Sequence, residues 1–215
     1  MKTTSGISDI SDVPLHLAAL STRLQRVPPP LPAHARPAAV LLPLVSAEDG
    51  PAVLLTVRRN DLPDHPGQVC LPGGSIEPGE TALEAALREA GEETGLSPDH
   101  VRPLGFLPCC ETSTGFAIAP LVGHVPALPP LHPAPEEVAA IFTLPLAHLL
   151  APGAFSRETM AGSQRPWSWV IRWQEHCIWG ATAAILHEFR RRLLAVADCS
   201  QDAGAPARTS AGRCA

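Results

Sequence analysis

The segment that most constrains this chain runs from Gly74 to Leu96 and reads GSIEPGETALEAALREAGEETGL. Five residues separate Gly74 from Glu80, and seven more lead to the run Arg88-Glu89-Ala90-Gly91-Glu92-Glu93-Thr94-Gly95-Leu96. The Ala-, Leu- and Glu-rich stretch Thr81 to Thr94 predicts a helix. Thr81 is its N-cap, Glu84 completes a capping box, and Gly95 stands where a C-terminal cap belongs. Glu89, Glu92 and Glu93 then fall at i, i+3 and i+4, which puts three carboxylates on one face. Like charges so placed repel in a bare helix. A hard divalent cation relieves that repulsion, because Mg²⁺ takes oxygen ligands, keeps several waters, and completes its shell with substrate phosphates. A solvated acidic face is the ordinary alternative. It does not account for the whole spacing: seven fixed matches at about 7% usage each arise at about one start in 10^8.

The flanking sequence predicts an α/β domain. Ala38–Val45 and Ala52–Arg58 read as strands joined by a turn at Glu48-Asp49-Gly50-Pro51, and Val69–Leu71 as a short strand stopped by Pro72-Gly73-Gly74. Val101–Leu107, Ala117–Val125 and Ser168–Trp173 are further strands, and Ala181–Val196 is a helix. Glu136–Ile141 and Leu146–Leu150 are short pieces that fit helix or strand. Residues 1–36 form a leading extension in which Leu15, Leu17, Leu20 and Leu24 line one side of a short helix; residues 37–197 form the domain, and 198–215, small and polar, a disordered tail.

Charge and cysteine usage narrow the function. With 16 Lys+Arg against 21 Asp+Glu the formal charge is -5, and no basic stripe is present, which argues against a nucleic-acid polymer as partner. A small anionic ligand remains compatible, since a bound metal reverses the local sign. No secretion signal or bilayer-spanning run is apparent, so a cytoplasmic protein with no membrane partner and reduced thiols is expected from the six cysteines.

The Gly74–Leu96 stretch is identified as a Nudix box. The resemblance implies the Nudix α/β/α sandwich, a mixed β-sheet between helices with the box as loop-helix-loop, and pyrophosphohydrolase activity dependent on Mg²⁺ or Mn²⁺. It implies that Glu89 and Glu93 are metal ligands, with Glu92 close behind and the Gly73 carbonyl as a further donor. It also implies that Glu80 and Arg88 form an internal ion pair that orients loop and helix. Gly73 and Gly74 let the backbone come close to the metal. Family members are often dimers, so a homodimer is a possible assembly.

The preceding stretch, LLTVRRNDLPDHPGQVCLPGG from Leu54 to Gly74, resembles the mark of the coenzyme A pyrophosphatase branch. Thr114-Gly115-Phe116, Pro135-Glu136-Glu137-Val138 and Ile178-Trp179-Gly180-Ala181 extend that likeness. Arg59, Pro63 and Leu71 depart from the branch pattern, and Pro63 removes a positive charge. The small-molecule partner implied is a nucleoside diphosphate derivative, coenzyme A or a thioester of it. Arg58 and Arg59 are candidates for phosphate contacts. His65 and Gln68 are candidates for substrate contact or loop bracing, and Phe116, Trp167, Trp169 and Trp173 for an apolar channel. The general base is sought first at Glu89, then at Glu137 or Glu136, then at His65. Two other readings stay open: a Nudix enzyme for ADP-ribose, a dinucleotide or a nucleoside triphosphate, and a non-catalytic ligand sensor.

Overall fold

A computed structural model describes residues 18–47, 50–159 and 166–202. Strand β1 (Arg36–Ala47) is the axis of the main sheet. It runs parallel to β7 (Phe116–Val125) along one edge, from the pair Arg36–Phe116 to Val45–Val125. Its other edge is shared. Residues 38–40 pair antiparallel with β4 (Gly73–Ser75), and residues 44–47 with β2 (Gly50–Arg58). Pro43 stands between those two partners, in the one interval where a missing N–H costs no ladder bond on that edge.

The remaining strands extend the sheet antiparallel. β3 (Val69–Cys70) and β8 (Val138–Pro145) pair with β2, while β5 (Arg102–Phe106) and β6 (Cys110–Glu111) pair with β7. Parallel and antiparallel pairs therefore coexist, as a mixed sheet requires. A second sheet holds β9 (Ser156–Glu158), β10 (Ser168–Trp173) and β11 (His176–Trp179).

Each face of the main sheet is covered. Helix α1 (Ala82–Thr94) lays Ala82, Ala85, Ala86 and Ala90 on Ala39, Leu41, Leu54, Ala119 and Leu121. Its small side chains bring the helix axis close to the sheet. Helices α2 (Leu146–Leu150) and α3 (Gly180–Asp202) and the second sheet cover the other face, where Phe189, Leu186, Ile171 and Ile178 meet Leu42, Leu55 and Val122. This is the α/β/α sandwich.

Several boundaries differ from the sequence reading. Gly73 and Gly74 do not simply stop a strand; they begin β4, because β1 has an unfilled edge at Ala38–Val40. Of Glu136–Ile141, Val138 onward resolves into β8, held by β2, with Glu136 and Glu137 in the turn before it, and Leu146–Leu150 into a helix. Ile178-Trp179 ends a strand, and the helix predicted from Ala181 starts one residue earlier, at Gly180. It runs on to Asp202, so residues 198–202 are helical and do not belong to a disordered tail. Leu20 and Leu24 of the leading segment are buried core residues, while Leu15, Leu17 and residues 203–215 lie outside the described residues. Among the described residues no helix is long and apolar enough to cross a membrane, and no disulfide joins Cys70, Cys109, Cys110 or Cys177.

Candidate active site

The site is built where α1 packs across β1 and β4. The helix begins at Thr81, whose side chain accepts from the Glu84 N–H while the Glu84 carboxylate accepts from the Thr81 N–H at 2.8 Å. It ends at Gly95, in the left-handed region at φ 74°, with its N–H donating to Gly91 O at 2.8 Å. Both ends being fixed, the angular positions of Arg88, Glu89, Glu92 and Glu93 are fixed too.

Arg88 organises the acidic face. Its Nε and Nη2 donate to Glu80 Oε1 and Oε2 at 2.8 and 3.1 Å. Nη1 donates to Glu89 Oε1 at 3.0 Å and Glu92 Oε2 at 3.1 Å, and Nη2 also reaches the Ser75 carbonyl at 3.2 Å. One guanidinium thus ties three carboxylates and the β4 backbone into a single unit. The same contacts hold the Glu80 carboxyl below its usual pKa, through the Arg88 hydrogen bond first and the Glu77 N–H second.

Glu89 and Glu93 face inward. The Glu89 side chain is 18% exposed and Glu92's is 62% exposed, so the two do not have equal access to the interior. Burial raises the Glu89 pKa, partly offset by Arg88. Glu93 is buried, and its carboxyl is pushed up to about 8, chiefly by loss of water and then by the Glu89 charge. The Gly73 N–H and the Arg58 charge both lie near enough to oppose the shift. Its Oε2 is buried without a hydrogen-bond partner among the described residues. The charge of Glu137, on the first turn into β8, is felt by both Glu89 and Glu93.

The glycines leave the carboxylates their space. A β-carbon on Gly74 would lie 2.4 Å from Glu89 Oε1, and one on Gly73 would lie 2.4 Å from the Ala39 carbonyl. Among the described residues no three His, Cys, Asp or Glu side chains are gathered closely enough to hold a metal ion by themselves. An open arrangement agrees with Mg²⁺ chemistry, in which one or two carboxylates are joined by water and substrate phosphates. Glu93, an orphaned buried oxygen beside a second carboxylate, fits a hard divalent cation: burial penalises the bare anion and a cation removes that penalty.

Other sequence candidates are dispersed. Arg58 lies on the same sheet face as Leu54 and Thr56, towards α1, with its Nε buried and unpartnered among the described residues. Arg59 is already engaged: Nε and Nη2 fork onto Asp61 at 2.8 and 2.6 Å, and Nη1 donates to the Pro135 carbonyl at 2.6 Å. His65 is exposed in the left-handed region at φ 57°, and Gln68 bonds through its backbone carbonyl to the Arg58 N–H. Phe116 packs with the cluster of α3 and the second sheet, on the face away from α1, and carries the Arg36 guanidinium 3.8 Å above its ring. Trp169 and Trp173 pack against that same cluster; Trp169 stacks on His187 at 4.0 Å and Trp173 meets His148 at 4.7 Å. Trp167 lies beside Trp169 and is 41% exposed. Strand alternation from the core residues Val69 and Leu71 sends these aromatics' partners to one face and Cys70 to the other. Cys70, missed from sequence, lies near Arg58 and Glu93, and its thiol is pushed up to about 11 by burial. Asp61, Pro135 and the Ser75 carbonyl were also missed, because their roles arise from contacts distant in sequence.

Comparison with known proteins places this geometry in a family. A family model described as the NUDIX domain matches residues 35–168. A protein from Enterobacter sp., described as an uncharacterized Nudix hydrolase NudL, is 41% identical over 158 residues, spanning 71% of this chain and 80% of that protein. A protein of the same description from Cronobacter sakazakii is 38% identical over 183 residues, 81% of this chain and 93% of that one. The crystal structure of a MutT/nudix family protein from Enterococcus faecalis has a TM-score of 0.50 at 14% identity, over 77% of this chain and 64% of that one, a likeness of fold. With the Gly74–Leu96 motif inside the matched region, this chain belongs to the Nudix family and is a pyrophosphohydrolase, a hydrolase of a diphosphate linkage.

Proposed function

We propose that the linkage cut is the diphosphate of coenzyme A or of its thioesters, giving adenosine 3′,5′-bisphosphate and a 4′-phosphopantetheine. One observation carries this reading. The Leu54–Gly74 stretch that resembles the coenzyme A branch is contiguous in space with the acidic face: Arg58 approaches Glu93 from β2, and Gly73 and Gly74 back onto Glu93 and Glu89. Identity of 41% to a NudL relative, over 80% of its length, is in keeping with a shared reaction class.

Glu89 and Glu93 would hold Mg²⁺ or Mn²⁺, with Glu92 and the Gly73 carbonyl as further oxygen donors. Such a cation, when bound, polarises the diphosphate, offsets charge on the leaving phosphate and lowers the pKa of a water. Arg88 fixes the rotamer of Glu89 through Oε1 and keeps Glu80 and β4 in register with the helix. Arg58 directs a positive charge at the same face, with its Nε buried and without a hydrogen-bond partner among the described residues. Glu137 receives the proton of the attacking water. It is preferred to Glu89, whose Oε1 is taken by Arg88, and to His65, which lies exposed at the 60–67 loop.

Chromatography of products from coenzyme A, acetyl-coenzyme A, ADP-ribose, NADH and nucleoside triphosphates, with Mg²⁺ or Mn²⁺, tests the reading. Adenosine 3′,5′-bisphosphate forming fastest from the coenzyme A compounds sustains it. Faster release from another diphosphate ends it and moves the enzyme to ADP-ribose or dinucleotide substrates, a reading favoured by Pro63 in place of a basic residue. No turnover with either metal, with wild type and Glu93→Gln alike, points to a ligand sensor.

A further inference from the structure

We propose that Arg59 is a positioning residue: forked onto Asp61 and bonded to Pro135, it fixes the segment carrying Glu137 against the box helix, and it makes no contact with substrate phosphate. The proposal rests on the reading of Glu137 as proton acceptor for diphosphate cleavage.

A continuous set of hydrogen bonds joins these parts. At the end of α1, the Glu93 carbonyl accepts from the Ala134 N–H at 3.0 Å, and the Thr94 carbonyl from the His132 N–H at 2.9 Å. The loop before β8 is therefore the cap that satisfies the helix's last carbonyls. The Ala134 carbonyl in turn accepts from the N–H groups of Glu137 and Val138, at 3.1 and 2.8 Å. From the other side, the Arg59 N–H donates to the Glu137 carbonyl at 2.9 Å, and Arg59 Nη1 donates to the Pro135 carbonyl at 2.6 Å. Glu137 is thus fastened through its own N–H to the helix cap and through its own carbonyl to the Arg59 backbone N–H, while the Arg59 side chain holds Pro135, two residues earlier. Asp61 holds the Arg59 guanidinium at the angle that makes the Pro135 contact, through Oδ1 at 2.8 Å and Oδ2 at 2.6 Å.

The same geometry leaves Arg59 poorly placed for phosphate. A guanidinium grips a phosphate through two parallel N–H groups of one edge. In Arg59 the Nε–Nη2 edge is filled by a carboxylate, and Nη1 is turned to a carbonyl. The pair is locally neutral, so it attracts no anion at long range. Its side chains are 42% and 65% exposed, so its loss changes folding little. Placement of a reacting group is far more sensitive, a shift of about 1 Å being enough for about 10²-fold in rate.

Steady-state kinetics on Arg59→Ala, Arg59→Lys, Asp61→Ala and Arg59→Ala/Asp61→Ala test the assignment, alongside melting temperatures. Each single variant is expected to lose roughly 10-fold or more in kcat with KM within about twofold of wild type. Lysine should not rescue, since it lacks the fork, and the double variant should be no worse than either single. In a Glu137→Gln background, Arg59→Ala should cost nothing further, an outcome that a general structural role would not give. The ratio of kcat/KM for coenzyme A over the analogue lacking the 3′-phosphate should be unchanged in every variant. Collapse of that ratio in Arg59→Ala, through a raised KM for coenzyme A alone, overturns the proposal in favour of phosphate binding. Additive losses from Arg59→Ala and Glu137→Gln, or wild-type kinetics in all variants, overturn it as well. Should the wild-type enzyme cut another diphosphate and leave coenzyme A intact, the coenzyme A reading fails by itself; the same variants are then compared on the substrate that is cut.

Discussion

Glu89 occupies the space that a side chain at position 74 would need: a β-carbon there would meet its Oε1 at 2.4 Å and its Oε2 at 2.7 Å. The glycine and the carboxylate are therefore one feature. Arg88 prevents Glu89 from simply swinging aside, since it holds Oε1 at 3.0 Å. Gly74→Ala is expected to displace the carboxylate, with little loss of folding stability but a weakening of Mn²⁺ affinity by about 10- to 100-fold, the range seen when groups supporting a metal site are lost. Calorimetric titration with Mn²⁺ measures this; unchanged affinity would show that Glu89 does not hold the metal where it stands.

Arg88→Lys tests the organising unit. Lysine carries a point charge and three donors on one nitrogen, so it cannot reach Glu80, Glu89, Glu92 and the Ser75 carbonyl together. A turnover loss on the order of 10²-fold and a lower melting temperature are expected. Wild-type turnover in this variant would remove the loop-to-helix link from the catalytic account.

Glu93 sets a pH dependence on metal-free stability. Its folded-state pKa is raised from 4.5 to about 8, so the unfolded chain loses this proton first as pH rises. Below pH 4.5 both states hold the proton and the group leaves stability unaffected. Between 4.5 and about 8 the folded state is progressively disfavoured, and above that the loss is complete, at most roughly 5 kcal/mol. Denaturant unfolding in chelator, at pH 5 through 8.5, should show this decline, and Glu93→Gln should flatten it. Saturating Mg²⁺ should recover stability at the alkaline end by binding the anion. A wild-type profile indistinguishable from that of Glu93→Gln refutes the assignment.

Leu20 and Leu24 tie residues 18–25 of the leading segment to the folded core. Leu20 is fully buried and Leu24 is 7% exposed; Gln25 exchanges hydrogen bonds with Phe106 at 2.9 and 2.8 Å. Leu20→Ala should cost roughly 2–5 kcal/mol of stability, the usual range for a buried leucine truncated to alanine. Urea unfolding reads this directly, and a change below about 0.5 kcal/mol, the level of ordinary surface substitutions, would mean that the segment is dispensable.

The longer strands, the caps of α1 and the three-carboxylate spacing were legible in the sequence because their causes are local. Thr81, Glu84 and Gly95 act within a turn of one another, and the i, i+3, i+4 spacing of Glu89, Glu92 and Glu93 is itself a statement about a helix. Helix geometry alone did not separate those carboxylates, whereas packing did: Glu93 is turned under the sheet, while Glu92 is turned out to Arg88. Short apolar pieces such as Val138–Pro145 and His176–Trp179 carried no decisive period, and only the strands beside them made them strands.

The sequence by itself determined the family, the reaction class and the helix that bears the chemistry, through a spacing in which each residue answers to its neighbours along the chain. The tertiary structure alone decided which side chains meet that helix. Arg58 from β2 and Glu137 from the turn before β8 lie near enough to act on its acidic face, Arg59 is drawn off to Asp61 and Pro135, and Phe116 is turned to the opposite side of the sheet. Those outcomes depend on strand register and on which edge of β1 each segment fills, and a one-residue change in register would send every such side chain to the other face.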